Sequence, residues 1–417
     1  MRSLHWTSLA AFAGIAALVA CSATSTDSGF GGGTSGGAGG DPIGTGGSDQ
    51  VGGSGGTSVA QWDASVSNNP DATGASSCSA GPDEDRDKDG WTITQGDCND
   101  CDANANPGAF DVAGGIDGGP GVDEDCNGVI DDEPTNCGLN LSMTSVEPID
   151  FARAIGLCRT AIPGAQGKDK TWGVLEAKLG TTDPNGFTDP KLFGILKKFG
   201  ANNNPQEGDY LIALSSGTAR DEYTGGVDPN GPGYETPIET NCPPGFPKNS
   251  PNCPDPADNM ANDPVSFYLK LRVPTNAKSF SFNFSFFSAE YPEFVCTDFN
   301  DVFVALLHSK IPGKPADSNN ISFDQNHAPV CVNIGFFGHT AGNDPVLTGT
   351  FMTNNRGGAT GWLQTQAPVE PGEEITVQFA IWDTGDHAWD STVIIDNFKW
   401  SVEPAGEAVT EPVPVPK

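Results

Sequence analysis

Apolar residues follow a helical spacing early in this chain and a spacing of two from about residue 210 onward. The run Ile149-Asp150-Phe151-Ala152-Arg153-Ala154-Ile155-Gly156-Leu157 has apolar residues at helical intervals and predicts a short amphipathic helix. A second helix is predicted over 190–199, with Pro190 at its start and Gly200 after its end. Strands are then predicted at 210–214, 265–273, 302–307, 330–337, 375–382 and 392–400. Phe267, Leu269, Leu271 and Val273 share one face of the second of these. Phe280, Phe282, Phe284 and Phe286 repeat at a strict period of two with Ser and Asn between them, which predicts a strand with one face buried and the other wet. Short strands separated by Gly, Pro and Asn argue for a mainly β fold, an antiparallel β-sandwich of jelly-roll type with a few short helices.

The two ends do not share this patterning. Arg2 followed by an apolar run from Leu9 to Ala20 is too short to span a bilayer and matches a signal peptide. It ends Leu18-Val19-Ala20-Cys21, which resembles a bacterial lipobox, so Cys21 is the expected lipidation site. Ser22 rather than Asp follows it, which in that class implies the outer membrane, with the protein facing the cell exterior. Residues 21–77 are rich in Gly and Ser without an apolar period and read as a disordered tether. Residues 404–417 read as a disordered Pro-rich tail.

Charge narrows the function. The 417 residues carry 54 Asp plus Glu against 21 Lys plus Arg, a formal charge of −33, which argues against nucleic acid or an anionic membrane surface as partner and favours cations. Setting Cys21 aside, ten of the 11 cysteines remain, an even number that in an exported chain reads as disulfides. Cys242 with Cys253 is expected to close a local loop, and Cys296 with Cys331 to staple two strand-like runs. The pairing of Cys78, Cys98, Cys101, Cys126, Cys137 and Cys158 stays open, and Cys98-Asn99-Asp100-Cys101 also has the spacing of a zinc knuckle or redox pair.

Residues 78–137 form a distinct block. Between Asp83 and Glu133 lie sixteen acidic residues, with Arg86 and Lys88 the basic ones. Asp85-x-Asp87-x-Asp89-Gly90 sets carboxylates at positions 1, 3 and 5 of a turn with Gly at 6, a spacing that wraps oxygens around a hard cation. Asp123-x-Asp125-x-Asn127-Gly128 repeats it, followed by Asp131 and Asp132. Position 12 is Gly96 or Pro134 rather than Glu, and the flanks break helices, so these are stand-alone turns, closed by later carboxylates such as Asp97 and Asp100. Calcium, with six to eight oxygen ligands, is the expected ion. The block, with Gly96-Asp97-Cys98-Asn99-Asp100, Pro107-Gly108-Ala109 and Asp123-Glu124-Asp125-Cys126-Asn127-Gly128-Val129-Ile130-Asp131, resembles the MopE-type metal-binding motif of secreted bacterial proteins. That family is named after a copper-binding member, but the block contains no His or Met to favour copper.

Within residues 138–403, Phe286-Phe287-Ser288-Ala289-Glu290-Tyr291-Pro292-Glu293-Phe294, Phe299-Asn300-Asp301-Val302-Phe303 and the stretch Ala380-Ile381-Trp382-Asp383-Thr384-Gly385-Asp386-His387-Ala388-Trp389-Asp390 resemble the choice-of-anchor L domain, with Leu214-Ser215-Ser216-Gly217 fitting its early part. The resemblance implies a bacterial surface or secreted protein with an interchangeable anchor, here a lipid. Glu290, Asn300, Asp301, Asp383, Asp386 and Asp390 fall at strand ends or turns, where they are a second candidate calcium site or simply turn-capping residues. Glu290 with Asp301 or Asp390 is a conceivable acid–base pair for a glycan hydrolase, the weaker alternative, because no catalytic motif accompanies them and the lone histidines read as solvated loop residues. The expected role is binding of a glycan or cell-surface protein through an aromatic patch, with Trp362, Trp382 and Trp389 as candidates. A purely structural envelope scaffold is the competing reading.

Overall fold

A computed structural model of the protein describes residues 79–116, 121–131, 137–224, 233–248, 250, 253–254, 259–311, 319–352 and 357–413. The signal segment, Cys21, the tether, Cys78 and Asp132 lie outside them. In chain order the elements are α1 (Pro148–Ala154), β1 (Gly173–Gly180), β2 (Phe193–Leu196), β3 (Leu211–Ser215), β4 (Glu239–Asn241), β5 (Met260–Arg272), β6 (Ser279–Ser288), β7 (Val302–His308), β8 (Val330–Cys331), β9 (His339–Thr340), β10 (Gly358–Ala359), β11 (Leu363–Pro368), β12 (Glu374–Asp383), β13 (Ser391–Ser401) and β14 (Val409–Pro412).

The strands form two antiparallel sheets facing each other. One runs β1-β5-β12-β7-β8, with β4 beside β5; the other runs β14-β11-β6-β13-β3-β2, with β10 pairing both β6 and β9. The main core lies between them. Phe280, Phe282, Phe284 and Phe286 of β6 face Phe267, Leu269 and Leu271 of β5 and Val377, Phe379 and Ile381 of β12, all fully buried. The Phe282 and Phe379 rings meet edge to face at 4.8 Å across the gap. α1 has Pro148 at its first turn and buries Phe151 against Phe193 and Phe267.

Three expectations need correction here. The other face of β6 is not wet: Asn283, Ser285 and Phe287 are buried too. The cause is a second, smaller apolar cluster in which Phe287, Ile394 and Leu211 pack under Leu347 and Met352. The second helix does not form. Pro190–Leu192 makes a single 3-10 turn, and Phe193–Leu196 becomes β2, paired with β3. Phe193 and Ile195 enter the main core while Leu196 enters the small one, so this run is buried on both faces and its period no longer separates helix from strand. The tail is not wholly structureless either, since residues 409–412 form β14 against β11.

The cysteine pairings also differ. Cys253 bonds Cys296, in place of the expected Cys242–Cys253 and Cys296–Cys331 bridges. Cys331 is fully buried on β8, where its Sγ lies 3.6 Å from Ser250 Oγ, whereas Cys296 sits in an exposed turn and is taken up by Cys253. Cys242 directly follows β4 and packs against the main core. Cys98–Cys126 joins the two acidic turns, and Cys137–Cys158 ties the end of the acidic block to the segment after α1.

The acidic block docks on the sandwich. Asn276 brackets Phe110, accepting from its N–H at 3.1 Å and donating to its carbonyl at 2.8 Å. The Trp172 indole donates to the Ala109 carbonyl, and Thr275 Oγ1 donates to Asn106 at 2.8 Å. Gly108 makes this approach possible, because a Cβ there would overlap the buried ring of Trp91.

Candidate metal centres

In the first acidic turn Asp85 is held by both carboxylate oxygens and Asp87, Asp89, Asp97 and Asp100 by one each. Asp85 accepts from the Lys88 and Gly90 N–H groups at 2.7 and 3.2 Å, and Asp89 accepts from Trp91 N–H at 2.8 Å. Asp97 accepts from Asn99 N–H at 2.8 Å and Asp100 from Arg86 N–H at 3.2 Å. The turn needs left-handed backbone at Gly90 (φ +98°), which glycine adopts at no steric cost. The second oxygens of Asp87, Asp89, Asp97 and Asp100 are buried without a hydrogen-bond partner. Oxygens of Asp85, Asp87 and Asp100 lie within 4.8 Å of one another, as do those of Asp87, Asp89 and Asp97, so Asp87 belongs to both groups. Burial, and then the charge of neighbouring carboxylates, raises Asp89 to about 7 and Asp97 to about 6. All five residues named from the spacing therefore converge.

The second turn is built alike but is more fully satisfied. Asp123 accepts from the Asn127 and Gly128 N–H groups at 3.0 and 2.9 Å. Asn127 accepts from Val129 N–H at 2.8 Å. Asp125 pairs with Arg159 at 3.0 Å. The carboxylate that joins Asp123 and Asp125 is Asp111, which the motif spacing did not single out. It precedes the turn by twelve residues and is tied to it through Asp125 N–H at 3.0 Å. Asp131 instead holds the Gly114 N–H at 3.2 Å.

The third cluster lies inside the sandwich. β6 and β12 end where β7 and β13 begin, so the flanking residues of both sheets meet at one end of the core. There Glu290, Asp301 and Asp383 bring carboxylate oxygens within 4.8 Å of one another, and each residue is at most 1% exposed. Glu290 accepts from Asp301 N–H at 3.2 Å. Both oxygens of Asp301 and both of Asp383 lack a hydrogen-bond partner, as do one oxygen each of Asn300 and Asp390. The other Asp390 oxygen accepts from Gly233 and Tyr234 N–H groups at 2.6 and 3.2 Å. Gly217 leaves room for it, since a Cβ there would strike the Asp390 carboxylate. Ser216 fixes the approach by accepting from Ser391 N–H at 3.0 Å, which gives the Leu214-Ser215-Ser216-Gly217 motif a structural role. Asp386 is a turn residue that accepts from Ala388 N–H at 3.0 Å.

Burial pushes Glu290, Asp301 and Asp383 well above the usual carboxylate range; the charge of Asp301 adds to the rise of Glu290 and Asp383, and that of Asp386 to the rise of Asp301. Asp390 rises to about 8 through burial and the charge of Asp301. Orphaned buried carboxylate oxygens cost free energy unless a proton or a cation meets them. The donors of the third cluster are all hard oxygens, which suits a cation such as calcium rather than a thiolate- or imidazole-seeking metal.

Two further expectations change. Trp382 is fully buried against Phe246 and so presents no surface, while Trp362 is half-buried against the small core. His387 is half-buried rather than a free loop residue; its Nδ1 lies 2.6 Å from buried Asp263 and its Nε2 3.3 Å from Glu239. Burial alone would lower its pKa, but these two carboxylates hold it above the ordinary value.

The family model described as the Choice-of-anchor L domain matches residues 248–399. The match takes in β5 to β12, nearly all of β13 and every carboxylate of the third cluster. It makes this a surface-associated protein built on a β-sandwich. No curated protein matches the chain. No helix among the described residues is long and apolar enough to cross a membrane.

Proposed function

We propose that this chain is a lipid-anchored outer-membrane protein displayed at the cell surface, in which calcium staples an acidic, disulfide-bonded block and a β-sandwich that binds a glycan or another surface component. The observation that carries the calcium reading is the set of fully buried, unpartnered carboxylate oxygens on Asp301 and Asp383 beside Glu290. In the acidic block, Asp85, Asp87, Asp89, Asp97 and Asp100 would hold one ion or a pair bridged by Asp87. A non-catalytic role is supported by the same burial. Glu290, Asp301 and Asp390 are at most 2% exposed, which leaves a sugar chain no route to them as acid and base. The scaffold reading gains from the burial of Trp382, which removes part of the expected aromatic patch.

Two experiments test this. Limited proteolysis should cut within 85–131 much faster in EDTA than in calcium, and equal rates would count against metal in the acidic block. Radiolabelled palmitate should enter the wild-type protein expressed in a Gram-negative host and not the Cys21→Ala variant. Equal labelling of both would remove the lipid anchor.

A further inference from the structure

A cleft of about 460 Å³ opens at the end of the first sheet, on the side turned away from the core. Leu269 and Leu271 of β5 point inward, so Lys270 and Arg272 point outward. The register sets Glu374 of β12 beside Arg272. Lys310, just after β7, and Lys170, in the loop before β1, complete the rim. Four of the chain's 21 basic residues thus meet there, while Glu374, of 54 acidic ones, is the sole carboxylate among the described residues lining the cleft. This inverts the charge balance of the whole molecule.

Three of the cations are held in place. Arg272 is 3% exposed and donates to the carbonyls of Thr171 and Ile162 at 2.9 and 3.1 Å. Glu374 is shared between Lys270 at 2.8 Å and Arg272 at 3.2 Å, and the buried carboxylate of Glu373 accepts from the Lys310 N–H at 2.7 Å, so together they offset two of the four charges. Lys170 lies 5.7 Å over the Trp91 ring of the acidic block. Gly164 and Gly372 leave the mouth open, and Gln166 adds an amide.

We propose that this cleft binds a small oxyanion, a sulfate or phosphate monoester or a carboxylate, either free or as the acidic group of a saccharide. A net charge of −33 repels long polyanions and anionic bilayers, but fields are screened beyond about 8 Å at physiological salt. A compact anion inside the cleft feels the local cations instead of the distant carboxylates. Among the described residues that line the cleft none is aromatic, so nothing stacks a nucleobase, and Ala165 is the one apolar side chain, too small to enter a bilayer.

The test is calorimetric titration of sodium sulfate, glucose 6-sulfate and glucose into the intact protein, repeated with Lys270→Gln/Lys310→Gln and with a control, Lys399→Gln, whose lysine pairs with Glu207 on the other sheet. Sulfate and glucose 6-sulfate should bind saturably at millimolar concentration or below, and glucose should not. The double variant should lose about tenfold or more in affinity and the control little. A tighter fit for glucose 6-sulfate than for sulfate identifies a saccharide-borne group, and equal affinity identifies the free anion. Exposed Lys310 replaced alone keeps the test valid if the double variant folds poorly. Absence of saturable binding by 10 mM, or equal affinity in the double variant and wild type, would overturn the proposal; neither outcome depends on whether calcium binds elsewhere.

Discussion

Replacing Asp301 by Asn is expected to raise stability without calcium and to shrink the stabilisation that calcium confers. Without metal, Asp301 and Asp383 confront each other in the core with all four oxygens unpartnered and with Glu290 beside them. Asn removes one buried charge and offers an N–H to Asp383, so the variant should gain about 1–3 kcal/mol in EDTA. That corresponds to a melting point higher by about 2–4 °C per kcal/mol. With calcium, the same change removes an anionic ligand. A ten- to hundredfold loss of affinity costs about 1.4–2.7 kcal/mol of ligand-linked stability, which offsets most or all of the metal-free gain, so calcium should raise the melting point of the variant clearly less than that of wild type. Thermal melts of both proteins in both buffers check this. A variant that is less stable in both would mean that Asp301 is an ordinary structural hydrogen-bonding residue.

Acidification is expected to stabilise the calcium-free protein. The carboxyls of Glu290, Asp301, Asp383 and Asp390 are raised above their unfolded values, Asp390 to about 8. A folded state that holds protons more tightly than the unfolded chain loses stability as pH rises, here from near pH 4 up through the raised values. In EDTA the melting point should therefore fall between pH 5 and pH 8, by about 5–10 °C if only one or two of these groups carry the effect. Calcium should reverse the trend, because ions compete best with protons at high pH. A calcium-free protein that gains stability towards pH 8 would contradict the assignment. Denaturation should be followed at both pH values in the same ionic strength, since the surface charge of −33 is itself salt-sensitive.

The features legible in the sequence are those whose physics is local. Phe280 to Phe286 announced a strand because side chains alternate faces at every residue, and β6 lies where that period placed it. Asp85, Asp87 and Asp89 were legible because a turn of six residues sets Asp87 beside each of the other two, in clusters that Asp100 and Asp97 complete. What depended on distant partners was not. Phe193–Leu196 has an apolar run that fits either helix or strand, and only packing on both faces, with β3 beside it, selects the strand. Asp111 joins the second turn through the folding of the intervening chain, which no spacing rule encodes. The cysteine pairs failed for the same reason, because burial of Cys331 and exposure of Cys296 follow from the sheets rather than from sequence separation. Glu290, Asp301 and Asp383 stand between these cases. Their placement at strand ends was readable, but their convergence, with Asp386 left in its turn, required the registers of β6, β7, β12 and β13.

Docking of the acidic block onto the sandwich through Asn106, Phe110, Thr275 and Asn276 makes the two parts mechanically continuous. Metal bound in the acidic turns, as proposed, would therefore stiffen the base on which the sandwich stands, and the Cys98–Cys126 bridge would pass that constraint from one turn to the other. The most direct test of the account is a calorimetric titration of calcium into the EDTA-stripped protein, with thermal melting alongside. The account predicts saturable binding of two or more ions per chain and a higher melting point. No saturable heat and an unchanged melting curve would contradict it, leaving the disulfides as the only staples and the acidic block as a passive spacer.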